Sequence, residues 1–372
     1  MAHIMKILVC ATEYPPKHSS GIGNVVYNIS VRLEESGVDC YLCTPDGPDK
    51  IVGGGLIGRL GVIGLLDYWQ KVDLYFGQKY DDFDALWYNN PLFLRGIEQE
   101  KVLITTHTTY QGALSIKTTP ALYYEIAARA EKYCYGRVNK CASFVGVDPK
   151  VCKELENLGI DKWRIQYIQN GVDTKAYAPS SKKEESRLGL GFSSKDLIIL
   201  SVGRLTAAKR PLELIRTFSI VAKGVPNAKL IMVGGGELTD EAKRLANALC
   251  PNNIQVLGYV PDNMILKLYP SADYFIIASK YEGQPLTLLE AMSSGLPCIV
   301  SEIPNLSMVA EAKCGLVTDF TEIHKAAAAI LQYIQQDNSE HARNAREYVL
   351  ENHDWSIIVQ RYIEEFNRIA RH

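Results

Sequence analysis

No sign of charge dominates this sequence. Lys and Arg number 40 against 42 Asp and Glu, a formal net charge of −2, so no global basic field marks the chain for nucleic acid. Long apolar runs are scarce as well. The nearest is Ile51 to Trp69, rich in Gly, Leu and Ile but interrupted by Arg59 and Asp67. A spanning helix needs a longer unbroken stretch, and the glycines point instead to a mobile loop or an interfacial segment. Cysteine spacing offers no framework. The nine cysteines, an odd number, are scattered at Cys10, Cys40, Cys43, Cys134, Cys141, Cys152, Cys250, Cys298 and Cys314, mostly within apolar runs, and reduced, buried thiols are expected. Cys40-Tyr41-Leu42-Cys43 is a lone CxxC inside a strand-like run, where residues three apart face opposite ways. Core packing is its reading. The start carries no apolar leader, and Met1-Ala2-His3-Ile4 ahead of Met5-Lys6 resembles an appended remnant. A cytoplasmic protein is expected.

What is present is a repeating α/β pattern. At 372 residues, with 47% apolar and 22% charged residues, the chain exceeds one ordinary core and suggests two or three soluble domains. Lys6 to Ala11 reads as a buried strand. A polar loop with Gly21 and Gly23 follows, then a helix starting near Asn24 with Val26, Ile29 and Leu33 on one face, then a strand at Val38 to Cys43. This is the building block of a doubly wound parallel sheet. The glycine pair is one short of a dinucleotide fingerprint and is weak evidence for a ligand.

Further strands are expected at Ala85–Tyr88, Val102–Thr105 and Ser143–Val147, with a helix from Tyr123 to Arg137. The pattern then restarts. Strands are expected at Leu197–Val202, Lys229–Val233, Ile254–Gly258, Tyr274–Ala278 and Pro297–Val300, with a helix from Pro211 to Lys223. The charged, Ser-rich stretch Ser180 to Ser186 reads as an exposed connection between the halves. Ile357 to Ile369 is an amphipathic final helix.

The most informative spacing is Glu282-Gly283-Gln284-Pro285-Leu286-Thr287-Leu288-Leu289-Glu290. The first glutamate follows an apolar strand and the second sits on the opening turn of a helix. A strand–loop–helix passage presents backbone N–H groups and a positive dipole end to an anion. Two carboxylates there would repel a phosphate unless they face other groups, and sugar hydroxyls are the candidates. Upstream, Gly203-Arg204 and Lys209 follow the strand Leu197–Val202. Arginine binds phosphate oxygens through two donors, and lysine adds a compact charge. Glu290 has a second reading, because Thr287-Leu288-Leu289-Glu290 fits a capping box.

Glu282-x7-Glu290 with Gly203-Arg204 and Lys209 resembles the donor site of the retaining, nucleotide-sugar-dependent glycosyltransferases of family 4. The resemblance covers nearly the whole chain from Met5. It implies the glycosyltransferase-B (GT-B) architecture, two Rossmann-like doubly wound domains facing across a cleft. The first would span 5–172, with 357–372 packing back on it, and the second 173–356. It also implies transfer of a sugar from a UDP- or GDP-sugar to an acceptor hydroxyl, saccharide or lipid-linked, in glycan or glycolipid biosynthesis. No cofactor and no metal are expected, because preorganised cations can replace a metal ion.

Residue by residue, the resemblance assigns the diphosphate to Arg204 and Lys209, ribose to Glu290, and the donor sugar to Glu282 and to His107 in Thr105-Thr106-His107-Thr108-Thr109. Gly21, Gly23 and Gly203 match glycine positions where backbone approaches the donor, and Gly283, Gln284, Leu286 and Thr287 complete the donor loop. Gln284-Pro285 replaces a frequent aromatic-glycine pair, and proline removes one backbone donor. Asn170-Gly171-Val172-Asp173 matches an interdomain segment and reads as an Asn-Gly turn. Asp82-Phe83-Asp84 has the form of a metal-binding pair from a different fold, but reads as a structural strand entry.

Lys79, Arg129, Lys132, Arg137 and Lys140 form either a solvated face or a basic face towards anionic lipid, which would place the protein at the inner face of a membrane. Two other classes fit parts of the pattern: a nucleotide-sugar epimerase of related fold, and a non-catalytic nucleotide-binding subunit.

Overall fold

The computed structural model describes residues 4–16, 20–53, 55–57, 59–77, 79–94, 100–115 and 121–370. The last two residues of the segment 357–372, expected to pack back on the first domain, fall outside them. The chain divides into two compact units, Met1–Gly171 with Trp355–His372, and Val172–Asp354.

The first unit is built on a seven-stranded sheet ordered β3-β2-β1-β4-β5-β6-β7. Its strands are β1 Lys6–Cys10, β2 Asp39–Thr44, β3 Lys50–Ile51, β4 Ala85–Asn89, β5 Val102–Thr106, β6 Ala142–Gly146 and β7 Ile165–Tyr167. Every pairing is parallel. Such sheets are covered on both faces, which explains why the strands read as continuous apolar runs rather than alternating ones. Each residue of β4, β5 and β6 is buried.

Helices α1 (Gly21–Glu35), α2 (Val62–Phe76), α3 (Tyr110–Ser115) and α4 (Ala121–Val138) belong to this unit, as does the terminal helix Trp355–Ile369. The rings of Tyr362 and Phe366 pack on Trp87 of β4, centroids 5.5 and 5.9 Å away, and Arg368 donates to Ser143 Oγ at 2.7 Å.

Two expectations are corrected here. The helix near Asn24 begins earlier, at Gly21, because Ser20 caps it by accepting from Gly23 N at 3.1 Å. Gly21 and Gly23 are therefore in the first helical turn, not in the loop before it. The glycine-rich stretch after Ile51 is not wholly loop either, since α2 starts at Val62. Tyr68, Trp69, Val72 and Phe76 recur at helical spacing and are buried in the core. Gly64 is required there, because a Cβ would lie 2.2 Å from the Leu56 carbonyl oxygen.

The second unit carries a six-stranded sheet ordered β10-β9-β8-β11-β12-β13, again all parallel. Its strands are β8 Leu197–Val202, β9 Ala228–Val233, β10 Ile254–Gly258, β11 Tyr274–Ile277, β12 Cys298–Ser301 and β13 Gly315–Thr318. The Ser-rich stretch after Ser180 does not separate the units. It leads into a helix, Lys183–Gly189, whose Arg187 is buried and reaches Asp273 at 2.5 Å, with Lys183 on the same carboxylate at 2.9 Å. The boundary falls earlier, between Gly171 and Val172.

All nine cysteines are free thiols and seven are buried. Among the described residues, no helix is long and apolar enough to cross a membrane.

Candidate functional site

Strand order places the site. In the second unit, β8, β9 and β10 run outward one way and β11, β12 and β13 the other. The order therefore reverses between β8 and β11, and doubly wound sheets bind ligands beyond the carboxyl ends of strands at such a reversal. The two segments singled out in the sequence leave the sheet there, Gly203-Arg204 from β8 and Ser279 to Glu282 from β11.

The β8 segment is braced by glycines that the sequence reading passed over. Gly203 N donates to Val233 O at 2.9 Å and Leu205 N to Gly235 O at 2.9 Å. A Cβ on Gly234 would sit 2.0 Å from Gly203 O, and one on Gly236 2.5 Å from Leu205 O. The loop after β9 thus has to be Gly234-Gly235-Gly236 for the Arg204 loop to lie against it. Three consecutive glycines directly after an apolar strand were the available signal. Arg204 projects to solvent and makes no side-chain hydrogen bond or ion pair among the described residues.

Lys209 ends the single turn Ala207–Lys209. The next residue, Arg210, adopts a left-handed conformation (φ 52°, ψ 47°) ahead of Pro211, which opens the helix Pro211–Gly224. Lys280 N donates to Ala208 O at 2.8 Å and ties this turn to the segment after β11. Lys209 Nζ lies 2.5 Å from Glu282 Oε1, and Ser279 donates to the same oxygen at 2.6 Å. Glu282 is 6% exposed. A cation and a carboxylate assigned to different parts of a ligand are therefore in contact with each other.

Gly283 and Gln284 are buried beside Glu282. Pro285 then caps the helix Leu286–Ser293 without a side-chain hydrogen bond. Leu286 and Thr287 lie in its first turn, where N–H groups have no intrahelical acceptor.

The capping-box reading of Glu290 is overturned. Thr287 is inside the helix rather than at its cap, so Glu290 lies a full turn in and cannot reach back to a cap N–H. Its Oε2 instead accepts from Tyr269 Oη at 2.6 Å, and the nearby Tyr177 phenol also favours the charged carboxylate. The two tyrosine rings meet edge to face at 5.4 Å. Burial pushes the Glu290 carboxyl up to about 7, against the pull of both phenols. Neither tyrosine stood out in the sequence, because each comes from a segment distant from the glutamate.

One more side chain marks this edge of the sheet. Tyr259 follows β10, is 80% exposed, and lays its ring over Gly235, where a Cβ would meet ring carbons at 2.5 to 3.2 Å.

In the first unit the strand order reverses between β1 and β4. Gly21 and Gly23 follow β1, and His107 follows β5, the neighbour of β4. His107 is buried. Its Nε2 donates to Asn89 Oδ1 at 3.1 Å, which leaves Nδ1 as the ring's acceptor. Its backbone N–H donates to Asn90 Oδ1 at 2.7 Å, and Asn90 Nδ2 donates to Thr108 O at 2.7 Å. Asn90 holds a left-handed backbone (φ 50°) to do this. Burial pushes the imidazole down to about 3, so it is neutral at physiological pH.

Glu131 of α4, buried and pushed up to about 8 by desolvation, accepts from Tyr110 N at 3.0 Å and Gln111 N at 3.3 Å. Glu154 accepts from Thr109 Oγ1 at 2.6 Å. The loop after His107 is fixed by these side chains, none of which the sequence pattern marked.

Asp84 accepts from Lys6 N at 2.7 Å and anchors the start of β1, while Asp82, itself exposed, ends a single turn begun by the buried Tyr80. Among the described residues, no three His, Cys, Asp or Glu side chains are grouped to hold a metal.

Two family patterns match the chain. One, described as glycosyl transferases group 1, matches residues 182–351, and the other, glycosyltransferase family 4, matches 19–176. Among curated relatives, the UDP-Gal:α-D-GlcNAc-diphosphoundecaprenol α-1,3-galactosyltransferase of Escherichia coli is 30% identical over 191 residues, 50% of this chain and 48% of that protein. The α-galactosylglucosyldiacylglycerol synthase of Streptococcus pneumoniae is 26% identical over 253 residues, 64% of each chain. The matched stretch thus spans about half to two-thirds of these relatives' own length. Among solved structures, WaaG, a glycosyltransferase involved in lipopolysaccharide biosynthesis, superposes with a TM-score of 0.78 at 17% identity, over 97% of this chain and 99% of that one. Anabaena HepE in complex with UDP-glucose gives 0.69 at 17% identity, over 98% and 100%. These likenesses establish the GT-B fold.

Proposed function

Because this chain belongs to the family 4 glycosyltransferases, we propose that it transfers a sugar from a nucleoside diphosphate sugar to an acceptor hydroxyl, with retention at the anomeric carbon. The observation that carries the reading is the Lys209–Glu282 contact where the strand order of the second sheet reverses, with Arg204 exposed on the same segment after β8. In the reaction the bond from anomeric carbon to phosphate oxygen breaks, and its electron pair leaves with the diphosphate. The anomeric carbon gains positive character, a bond forms to the acceptor oxygen on the same face, and the acceptor proton passes to the departing diphosphate oxygen.

Arg204, exposed and without an ion pair among the described residues, is suited to grip diphosphate oxygens bidentately. Lys209 supplies a second charge, and its pairing with Glu282 fixes it in place before the ligand arrives. The second oxygen of Glu282 is available to accept from donor-sugar hydroxyls. Glu290, oriented by Tyr269 and Tyr177, accepts from ribose hydroxyls. The exposed ring of Tyr259 offers a face on which a nucleobase can stack. His107, neutral and locked by Asn89 and Asn90, contacts the sugar rather than the diphosphate, because a neutral imidazole adds no charge for phosphate.

The names of the relatives above, which contain a diphosphoundecaprenol and a diacylglycerol, support a lipid-linked acceptor, and the UDP-glucose complex of a solved neighbour supports a UDP-sugar donor. Incubation with UDP- and GDP-sugars, with and without glycolipid acceptors, tests the reading. Release of nucleoside diphosphate together with a glycosylated product is expected. Sugar interconversion without an acceptor, or binding without turnover, would refute transfer.

A further inference from the structure

The two glutamates of the Glu282–Glu290 segment are held by different chemistry. Glu282 meets a cation, Lys209. Glu290 meets phenols. Tyr269, from the helix Asp262–Ser271, donates to Glu290 Oε2 at 2.6 Å, and the Tyr177 phenol lies close by. Among the described residues no cation forms an ion pair with Glu290. The residue is half-buried, so part of it can still meet a ligand.

Both tyrosines are themselves fixed. Tyr269 is fully buried, and its ring meets that of Tyr177 edge to face at 5.4 Å. Tyr177 O accepts from Ser293 Oγ at 2.6 Å and from Arg346 Nη1 at 3.2 Å, and the same nitrogen donates to Ser293 O at 2.7 Å. Ser293 closes the helix that carries Glu290, so the backbone of Tyr177 is tied to that helix. Desolvation pushes the Glu290 carboxyl up to about 7, with the phenols opposing the rise and Asp262 adding to it. Burial raises both phenols, which have Asp262, Asp173 and Cys298 for neighbours, so they remain donors wherever Glu290 titrates. Arg346, which faces this helix from Ser339–Asn352, is engaged by the Ser293 and Tyr177 carbonyls. Cys298 is raised well up by burial and stays a neutral thiol.

We propose that Tyr269 and Tyr177 are positioning residues that couple ribose recognition to loss of a proton, Glu290 ionising as it accepts the ribose hydroxyls. Without ligand the carboxyl keeps its proton, because no cation compensates a charge there. Ribose hydroxyls add donors to those of the phenols, and a carboxylate can accept them all where a carboxylic acid cannot. The proton leaves for solvent, and no other bond is made or broken. Affinity for a ribonucleotide therefore rises with pH and levels off once the free protein is ionised. The inference rests on the nucleotide-sugar reading and adds to it a control by pH that the geometry of Glu282, paired with Lys209, does not offer.

Calorimetric titration of the full chain with UDP and GDP and with their 2′-deoxy counterparts, across pH 6 to 8, tests it. The terminal phosphate titrates alike in both members of a pair, so the ratio of their affinities isolates the ribose hydroxyl. Preference for the ribonucleotide should be roughly 10-fold or more at pH 8 and fall several-fold by pH 6, since hydrogen bonds to charged groups are the stronger ones. Tyr269→Phe removes a donor that favours the charged form and should move the midpoint of this profile up by roughly half to one pH unit. Tyr177→Phe should move it the same way, which keeps the test decisive if melting curves show Tyr269→Phe to be misfolded. Glu290→Gln should make the ratio flat with pH. A merely structural role for the tyrosines would weaken both nucleotides alike and leave the midpoint in place. A pH-independent ratio in wild type, or an unmoved midpoint in both phenylalanine variants, would overturn the coupling while leaving the donor reading standing. Binding of neither diphosphate by wild type would overturn both.

Discussion

Lys209 Nζ and Glu282 Oε1 are 2.5 Å apart, and Ser279 donates to the same carboxylate oxygen. The pair links the segments after β8 and β11, two neighbouring strands with opposite onward connections. Removing one member leaves the other partly buried and uncompensated. Lys209→Ala and Glu282→Ala are each expected to destabilise the fold by about 1–3 kcal/mol, discounted for the partial exposure of the lysine. The double variant should cost less than the sum. A double-mutant cycle by denaturant unfolding measures this coupling, and strict additivity would show that the contact carries no energy.

Among the described residues Arg204, unlike Lys209, has no ion-pair or side-chain hydrogen-bond partner to lose. Arg204→Ala is expected to change stability by less than about 0.5 kcal/mol, while kcat/KM falls by roughly 100-fold. The loss in kcat should exceed the loss in binding, because charge on the leaving diphosphate grows in the transition state. Unfolding curves and steady-state kinetics on one preparation provide both numbers. Unchanged turnover would remove Arg204 from the reaction.

Glu290 gives a pH-dependent expectation. Its folded carboxyl is raised to about 7 from an ordinary value of 4.5. Below 4.5 both states are protonated and the contribution of the buried, neutral carboxyl to stability is fully present. Between 4.5 and 7 the unfolded chain ionises first, so the contribution is lost as pH rises through the folded value. Glu290→Gln keeps a hydrogen-bond acceptor for Tyr269 and cannot ionise. Its stability relative to wild type should therefore rise between pH 5 and pH 8, by an amount on the order of 1–3 kcal/mol. Nucleoside diphosphate affinity should weaken in the same variant. A flat stability difference across that range would contradict the assignment.

His107→Ala should leave nucleoside diphosphate affinity near wild type and weaken binding of, and transfer from, the intact nucleotide sugar. Since burial holds the imidazole down to about 3, its ionisation should not appear in the pH–rate profile near neutrality. Titration with both ligands and a pH–rate series check this. Equal weakening of both ligands would place His107 at the diphosphate.

Much of this fold was legible because parallel strands buried on both faces leave continuous apolar runs: Lys6–Cys10, Val102–Thr106 and Leu197–Val202 are read directly. The loops leaving β8 and β11 were legible because charged residues interrupt such runs. α2 was missed because its glycines, Gly61 and Gly64, resemble a loop until Leu56 is seen packed against Gly64. The cap at Ser20 and the failed cap at Thr287 depend on one backbone conformation each, which composition does not specify. The partners of Glu290 and His107 were out of reach for another reason. Tyr269, Tyr177 and Asn89 are distant in sequence, and only the packing of separate segments brings them to their partners.

Preorganised cations make a resident metal unnecessary in this account. EDTA is therefore expected to leave turnover largely intact, as a coupled assay of nucleoside diphosphate release would show. Activity abolished by EDTA and restored by Mn²⁺ would require ligands that the account does not assign.

The central claim is that the edge between β8 and β11 binds the diphosphate of a nucleotide sugar. Calorimetric titration of wild type and Arg204→Ala with UDP and GDP tests it most directly. Saturable binding of at least one of them by wild type is expected, with affinity at least about 10-fold lower in the variant and melting temperatures matched in the absence of ligand. No binding of either by wild type, or equal affinity in both proteins, would contradict it.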